Sequence, residues 1–403
     1  MTIKALYPTV RPTLNLNFAQ TKALDPRITF TRASTATFVG SNGLIQTAAS
    51  GAARFDHNPA TGESLGLLVE EARTNVLKYS TDFSQTGSWQ FSQATPTYNA
   101  STAPDGTQTA TRLTTVATAS TQYITSTGTN TVAAGAQTVS AYVKPGTCTQ
   151  LQLQFNGNIN TRICFDLATD STFNIQANGS NGIGTITNVG NGWKRIVLTS
   201  TVAATDTVSI YLLQNQGFTL SAGLTLEVWG FQAEAGSFPT SYIPTVASTV
   251  TRAADVASMT GTNFSSWYNQ SEGTCVLSAK KINSNESYLF NFSDNTNNNR
   301  ILSQPAGYAL YVQSTTAQAQ LSSAISANSN FKIAVGVKQN SFNLANNGTL
   351  GTLDTSGIMP VGIDRLHLFS TNSGTEYSSG TIARLAYYPV RLPDAQLQAL
   401  TAT

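Results

Sequence analysis

Leu151-Gln152-Leu153-Gln154-Phe155-Asn156-Gly157 alternates apolar and polar residues and then stops at an Asn-Gly turn. A strand sends successive side chains to opposite faces. This run therefore gives Leu151, Leu153 and Phe155 to a core, and Gln152, Gln154 and Asn156 to the other side. The pattern recurs. Val139, Ala141 and Val143 alternate with Ser140, Tyr142 and Lys144; Leu224, Leu226 and Val228 with Thr225, Glu227 and Trp229; Phe331, Ile333, Val335 and Val337 with Lys332, Ala334, Gly336 and Lys338. Pro145-Gly146, Asn191-Gly192 and Asn346-Asn347-Gly348 supply the turns between such runs. Short alternating strands at this spacing specify an all-β chain of antiparallel β-sandwiches.

Composition agrees. Only 10% of the 403 residues are Asp, Glu, Lys or Arg, against roughly 25% in an ordinary soluble protein. Polarity comes from Ser, Thr, Asn, Gln and Gly, which favours strands and turns over charged surface helices. A net charge of +2 without a Lys/Arg run makes no electrostatic case for nucleic acid. No apolar run reaches the roughly 18 residues that span a bilayer, so membrane insertion is not expected. The opening Met1-Thr2-Ile3-Lys4-Ala5-Leu6-Tyr7-Pro8 has no signal-peptide core, and synthesis in a cytoplasm is the expectation. Cys148, Cys164 and Cys275 are an odd set without C-x-x-C spacing, which argues for small buried hydrophobes over disulfides or zinc.

Two near-copies of one phrase divide the chain: Thr31-Arg32-Ala33 near the start and Thr251-Arg252-Ala253 at the last third, each inside small and β-branched residues. They mark an irregular segment over 1–75, a first sandwich over 76–245, a connecting strand over 246–261 and a second sandwich over 262–403. Each arginine, Arg32 and Arg252, is expected to meet a carboxylate or backbone carbonyls at a structural junction. Two short helices are expected, one turn or two within Leu65 to Thr74 and a better one over Leu392 to Thr401, with Pro393 in its first turn. Too little core lies in the first 75 residues for them to fold alone, so they are expected to order on a partner or on sister subunits.

Several stretches are specific enough to suggest kin. Arg27-Ile28-Thr29-Phe30-Thr31-Arg32-Ala33-Ser34, Arg54-Phe55-Asp56-His57-Asn58-Pro59 and Gly66-Leu67-Leu68-Val69-Glu70-Glu71-Ala72-Arg73-Thr74-Asn75 resemble the N-terminal module of tail-fibre and head-spike-fibre proteins of tailed bacteriophages. Tyr79-Ser80-Thr81-Asp82-Phe83-Ser84, Gly192-Trp193-Lys194-Arg195 and Trp229-Gly230-Phe231-Gln232-Ala233-Glu234 resemble a CenC-type carbohydrate-binding jelly roll. Gly380-Thr381-Ile382-Ala383-Arg384-Leu385-Ala386-Tyr387-Tyr388 is similar to the closing strand of a concanavalin-like, laminin-G-type sandwich. The resemblance implies a virion structural protein, a fibre or decoration subunit. Its first 75 residues would attach it to other virion proteins of capsid or tail. Its sister subunits would form a homotrimer, and its sandwiches would meet host-surface polysaccharide. It implies no catalysis and no cofactor. A capsule-degrading tailspike-type glycosidase and a free lectin-like protein remain the competing readings.

Candidate chemistry was weighed against structural roles. Gly62-Glu63-Ser64-Leu65-Gly66 fits the nucleophile-elbow pattern, but an Asn-Pro-Ala-Thr turn precedes it where a strand is required. Of the two histidines, His57 lies in a polar turn, and His367 lies between Leu366 and Leu368 on the solvent side of an expected strand. The acids of the last third, Glu272, Glu286, Asp294, Asp354, Asp364 and Glu376, are scattered, whereas glycoside hydrolysis needs a flanking pair. The run Ser293-Asp294-Asn295-Thr296-Asn297-Asn298-Asn299 reads as a hairpin tip with one carboxylate, too little charge for tight calcium binding, and no metal site is expected. Trp89 and Trp193 are the carbohydrate-binding candidates, since indoles stack on sugar faces; the structural alternative for both, and for Trp229 and Trp267, is core packing.

Overall fold

The computed structural model describes residues 7–116, 121–157, 161–175, 182–282, 288–304, 308–371 and 377–402. The chain is all-β, built as two antiparallel sandwiches. In the first, one sheet orders its strands Ile183–Asn188, Lys194–Val202, Gly135–Pro145, Thr225–Ala235, Ala110–Thr115 and Ala94–Ser101. The facing sheet runs Ser171–Phe173, Arg162–Asp166, Gln150–Phe155, Val208–Leu213, Tyr123–Ser126 and Trp89–Ser92. The apolar sets from the alternating runs fill the space between. Leu151, Leu153, Phe155, Val139, Ala141, Val143, Leu226 and Val228 are all wholly buried in one core.

The second sandwich pairs an eight-stranded with a seven-stranded sheet. The larger runs Thr349–Leu350, Ser341–Asn346, Asn330–Lys338, Glu272–Lys281, Gly380–Tyr388, Ser64–Val69 and Arg54–His57, with Leu14–Leu16 also paired on Gly380–Tyr388. The smaller runs Thr29–Thr31, Val256–Thr260, Arg365–Leu368, Phe290–Ser293, Asn299–Gln304, Tyr308–Ser314 and Thr316–Leu321. The helix Asp394–Thr401 follows Pro393 and buries Leu397 on the outer face of the larger sheet, against Ala334 and Ala386.

The expectation of an irregular first segment is corrected here. Residues before 76 contribute three strands to the larger sheet and one to the smaller, and Leu14, Leu16, Phe18, Ile28, Leu67 and Val69 join the same core as Phe290, Ile333 and Leu385. The segment orders on its own chain, by completing a sandwich whose other strands come from beyond residue 255. Its strands are three to six residues long, too short for a period of two to declare itself. The helical turn expected within Leu65 to Thr74 is instead the strand Ser64–Val69. Gly66 sits there at φ +96°, and a Cβ on it would come within 2.1 Å of the Ile382 carbonyl oxygen. Glycine therefore permits the close strand approach. The stretch over 246–261 is likewise more than a connector. Val250–Arg252 pairs with Arg73–Asn75, and Val256–Thr260 pairs with Thr29–Thr31.

Both Thr-Arg-Ala phrases converge on one buried cluster. Arg32 pairs with Asp255 at 3.0 Å, Arg54 with Asp255 at 2.5 Å and with Glu70 at 2.8 Å, and Arg252 with Glu70 at 3.0 Å. Three guanidiniums face two carboxylates. Further donors meet backbone carbonyls: Arg32 donates to Ser34 and Ala49, Arg54 to Thr37, and Arg252 to Glu71, while Arg54 Nε and Arg252 Nε are buried without a hydrogen-bond partner. Glu70 also accepts from the Ser241 amide at 2.7 Å and the Ser241 hydroxyl at 2.6 Å. Ser241 belongs to the tail of the first sandwich, so the cluster ties the two sandwiches together.

Burial alone pushes the Glu70 carboxyl up, but Arg252, Arg54 and Ser241 overcome it and bring it down to about 2. Burial, partly offset by the Val39 amide and reinforced by the Glu70 charge, lifts nearby Asp56 to about 6.

Arg54→Ala would leave two buried carboxylates short of a partner, and a loss of about 3–5 kcal/mol is expected. Chemical denaturation of the variant checks this; an unchanged midpoint contradicts it. The pH profile has two limbs. The contribution of Glu70 is complete above 4.5, its ordinary value, and is lost as pH falls toward about 2. Asp56 works in the opposite sense: stability rises as pH falls through about 6 and the gain is complete near its ordinary value of 3.8. The unfolding midpoint should therefore rise on acidification from neutrality and fall again below 4.5. Asp56→Asn should make the upper limb shallower, and an unaltered limb would show that another group carries it.

Candidate functional site

The outer face of the sheet containing Gln150–Phe155 carries an organised set of polar and aromatic side chains, of which Gln154, Asn156, Tyr123 and Tyr211 are part-exposed while Gln152 and Ser209 are buried and anchor them. Its content follows from register. Gln152 stands opposite Tyr211 on one side and Cys164 on the other, and Tyr211 stands opposite Tyr123. One step along, Gln154 stands opposite Ser209 and Arg162, and Ser209 opposite Thr125. Directly paired residues share a face, so these rows present amides, hydroxyls and two phenol rings together. Their partners on the inner face, Leu151, Leu153, Ile210, Leu212 and Ile124, fill the core.

Hydrogen bonds fix the amides. Gln152 Nε2 donates to Gln154 Oε1 at 2.6 Å, and Gln154 Nε2 donates to Asn156 Oδ1 at 2.9 Å. Asn156 Nδ2 in turn donates to the hydroxyls of Thr207 and Ser209, both at 2.8 Å. The resulting ladder runs along the strand and holds each amide in one orientation. Beside it the Tyr123 and Tyr211 rings lie 4.7 Å apart between centroids, and Phe218 meets Tyr211 edge-on at 6.0 Å. Both tyrosines are half-buried. Burial, with the neighbouring Tyr123, raises the Tyr211 phenol, so the hydroxyl stays protonated at neutral pH. Oriented amides beside half-exposed rings suit a neutral, hydroxyl-rich ligand with apolar C–H faces. The stretch from Gln150 to Asn156 is about 20 Å long at strand rise, enough for several linked sugar units.

The tryptophans have another role, and the assignment of Trp89 and Trp193 to carbohydrate binding is corrected. Both are 1% exposed. Trp89 packs against Phe83 and Phe231 at 5.1 and 4.9 Å, with its indole N–H directed to the Lys78 and Tyr79 carbonyls. Trp193 lies in a small cluster with Tyr142, Trp229 and Tyr242, and its indole N–H donates to the Thr102 carbonyl. A ring enclosed on both faces has no surface for a sugar. Arg32 and Arg252 stand in the junction cluster described above.

Other candidates are placed as follows. Ser64 begins a strand rather than an elbow, and although His57 is its cross-strand neighbour, no hydrogen bond joins them. The His57 ring Nδ1 lies 3.0 Å from the Val39 carbonyl oxygen, which fixes its proton there. His367 is on the outer face of its strand but is 8% exposed, not a surface histidine; burial, then Arg365, pushes its imidazole down to about 4. Asp294 caps its own hairpin by accepting from Thr296 and Asn299. Glu286 and Glu376 lie outside the described residues. Cys148, Cys164 and Cys275 are free and buried. Among the described residues no three His, Cys, Asp or Glu side chains gather as a metal site.

The face was half-visible in the sequence. Gln152, Gln154 and Asn156 show in the alternation, but a polar side of a strand is ordinarily just solvated. Tyr123 and Tyr211 join them only through strand pairing between distant segments, for which one sequence holds no local signal.

No family model matches the chain, and no curated protein matches it. Among solved structures, it is similar to domain 4 of AbnA, a GH43 extracellular arabinanase from Geobacillus stearothermophilus, in complex with arabinotriose, with 13% identity and a TM-score of 0.31 over 41% of this chain and 83% of that one. The Ruminococcus gnavus IT-sialidase CBM40 bound to alpha2,3 sialyllactose gives 20% identity and a TM-score of 0.31 over 35% and 88%. Mouse laminin alpha1 chain domains LG4-5 give 8% identity and a TM-score of 0.21 over 63% and 81%. Likenesses at these TM-scores carry no weight in the functional reading.

Proposed function

We propose that the chain is a non-catalytic glycan-binding subunit of a bacteriophage virion, a fibre or decoration protein that holds host-surface polysaccharide on the amide–tyrosine face of its first sandwich. The observation that carries the binding role is the ladder Gln152–Gln154–Asn156 beside the Tyr123–Tyr211 pair. Fixed amides recognise hydroxyl pairs through directed hydrogen bonds, and rings take up the apolar faces of pyranoses. The virion role rests on the resemblance of the N-terminal and sandwich motifs. Assembly with virion proteins and into a homotrimer would use the segment 351–362, where Leu353, Ile358 and Val361 are 42%, 49% and 70% exposed. Repetition in a trimer would raise avidity by on the order of 10²–10⁴ over a weak single site.

Binding of the full chain to a panel of bacterial capsular and cell-wall polysaccharides tests this reading. A neutral polysaccharide should be retained without release of reducing ends. Tyr211→Ala and Gln154→Ala should each weaken retention by about tenfold, corresponding to about 1.4 kcal/mol, at an unchanged unfolding midpoint. Equal retention by both variants, or no retention of any polysaccharide, contradicts the assignment of the face. Trp89→Ala, by contrast, should cost about 3–5 kcal/mol of stability as a core truncation, and a stable variant that loses only glycan binding would reinstate Trp89 as a ligand residue.

A further inference from the structure

The larger sheet of the second sandwich has a groove on its outer face. Two adjoining hollows, of about 260 and about 200 Å³, share Ser278 and Lys332. Ser278 is paired on one side with Lys332 and on the other with Arg384, so the three side chains stand in one row on one face. Strands lie about 4.8 Å apart, which starts the two cationic stems roughly 10 Å from each other. Lys280 is two residues along from Ser278 and projects from the same face. Ser64 comes from the neighbouring hairpin and lines the larger hollow, and its Oγ is buried without a hydrogen-bond partner.

The charges are uncompensated. Among the described residues, none of Lys280, Lys332 and Arg384 is in an ion pair. Lys332 Nζ donates to the Ala402 carbonyl and Arg384 Nε to Asn15 Oδ1, both at 2.9 Å, and these neutral acceptors leave the positive charge in place. The only carboxylate lining the hollows is Glu63. In a chain with 10% charged residues, three cations around one groove form a distinct local field.

We propose that this groove is a second binding site, for an anionic glycan. Its carboxylate, sulfate or phosphate groups would meet Lys280, Lys332 and Arg384, and its hydroxyls would meet Ser64 and Ser278. Charge complementarity selects an anion, and the mixed lining, with Ser64, Ser278 and Thr381 beside Leu65, Ala383 and Leu400, suits the hydroxyls and C–H faces of a sugar. The rings that line the hollows, Phe331 and Tyr388, are buried, so there is no platform for nucleic-acid bases. Among the described residues no large exposed hydrophobic side chain lines the groove to enter a membrane. The site lies on a different sandwich from the amide–tyrosine face, and its cluster of three cations distinguishes it from that surface, whose paired rows bring up Arg162 beside the amides.

Calorimetric titration of the full chain with an oligogalacturonate hexamer, its methyl ester, a sulfated and a phosphorylated oligosaccharide is the test. At least one anionic oligosaccharide should bind, the neutral ester should not, and affinity should fall as salt rises. The Lys280→Gln/Arg384→Gln double variant should lose about tenfold or more, as expected when two close charge contacts go. Ser278→Asp, a small change that places a negative charge amid the cations, should abolish binding, and Tyr211→Ala should leave it unaltered. Unfolding midpoints of all variants show whether a loss reflects the site or the fold. The proposal is overturned if no anionic oligosaccharide binds or if acid and ester bind alike. It is also overturned if the folded double variant binds as the parent does, or if duplex DNA or anionic vesicles bind more tightly at the same salt.

Discussion

The arrangement of the whole chain depends on keeping Glu70 and Asp255 charged inside the protein. Removing a carboxylate from water costs several kcal/mol unless partners replace the lost solvation. Here the partners are four residues from three places: Arg32 and Arg54 in the first segment, Arg252 ahead of the second sandwich, and Ser241 in the tail of the first. None of these groups is well placed unless all the others are. Such a cluster contributes less through raw stability than through selection of one arrangement, because a misregistered strand would strand a buried charge. Backbone carbonyls of Ser34, Ala49, Thr37 and Glu71 take further donors from all three guanidiniums, which outnumber the carboxylates. The cluster is therefore built into the chain path as well as into the side chains.

This junction explains how a chain so poor in charge uses the charges it has. Five ionisable side chains are buried together in it, while the outer face of the larger sheet carries the Lys280, Lys332 and Arg384 group and the Lys338–Glu272 pair. The two sandwiches then offer different chemistry outward. One has oriented amides and tyrosine rings; the other has cations around a hollow lined by both polar and apolar side chains. A surface polysaccharide with neutral and acidic sugars in its repeat would engage both kinds of face, and the link through Glu70 and Ser241 would hold them on one body.

Much of the fold was legible in the sequence, and the reasons are local. The alternating runs at Leu151, Val139, Leu226 and Phe331 each became strands with the expected inner face, because burial on one side imposes a period of two. Asn-Gly and Pro-Gly turns marked their ends. The helix at Asp394–Thr401 was legible from Pro393 and the spacing of its leucines. Strands such as Leu14–Leu16, Thr29–Thr31 and Arg54–His57 were not, since three or four residues carry no period, and the partners of the first two lie hundreds of positions away. The same distance hid the meeting of Tyr123 with Tyr211. The tryptophans misled for a different reason: an indole suits a sugar and a core equally well, and only packing distinguishes the two.

The central claim is that one buried cluster joins the first segment to the second sandwich and both to the tail of the first. Two backbone amides report on it: the Glu70 amide donates to the Asp255 carboxylate at Oδ2, and the Asp255 amide donates to the Glu70 carbonyl, both at 2.9 Å. Native-state hydrogen exchange at these two amides is the most direct measurement. If the cluster is the joint of the structure, both exchange only through global unfolding, with the same denaturant dependence as amides in the strand Glu272–Lys281. Exchange by local opening, at rates typical of the surface turns while that strand remains protected, would contradict the account.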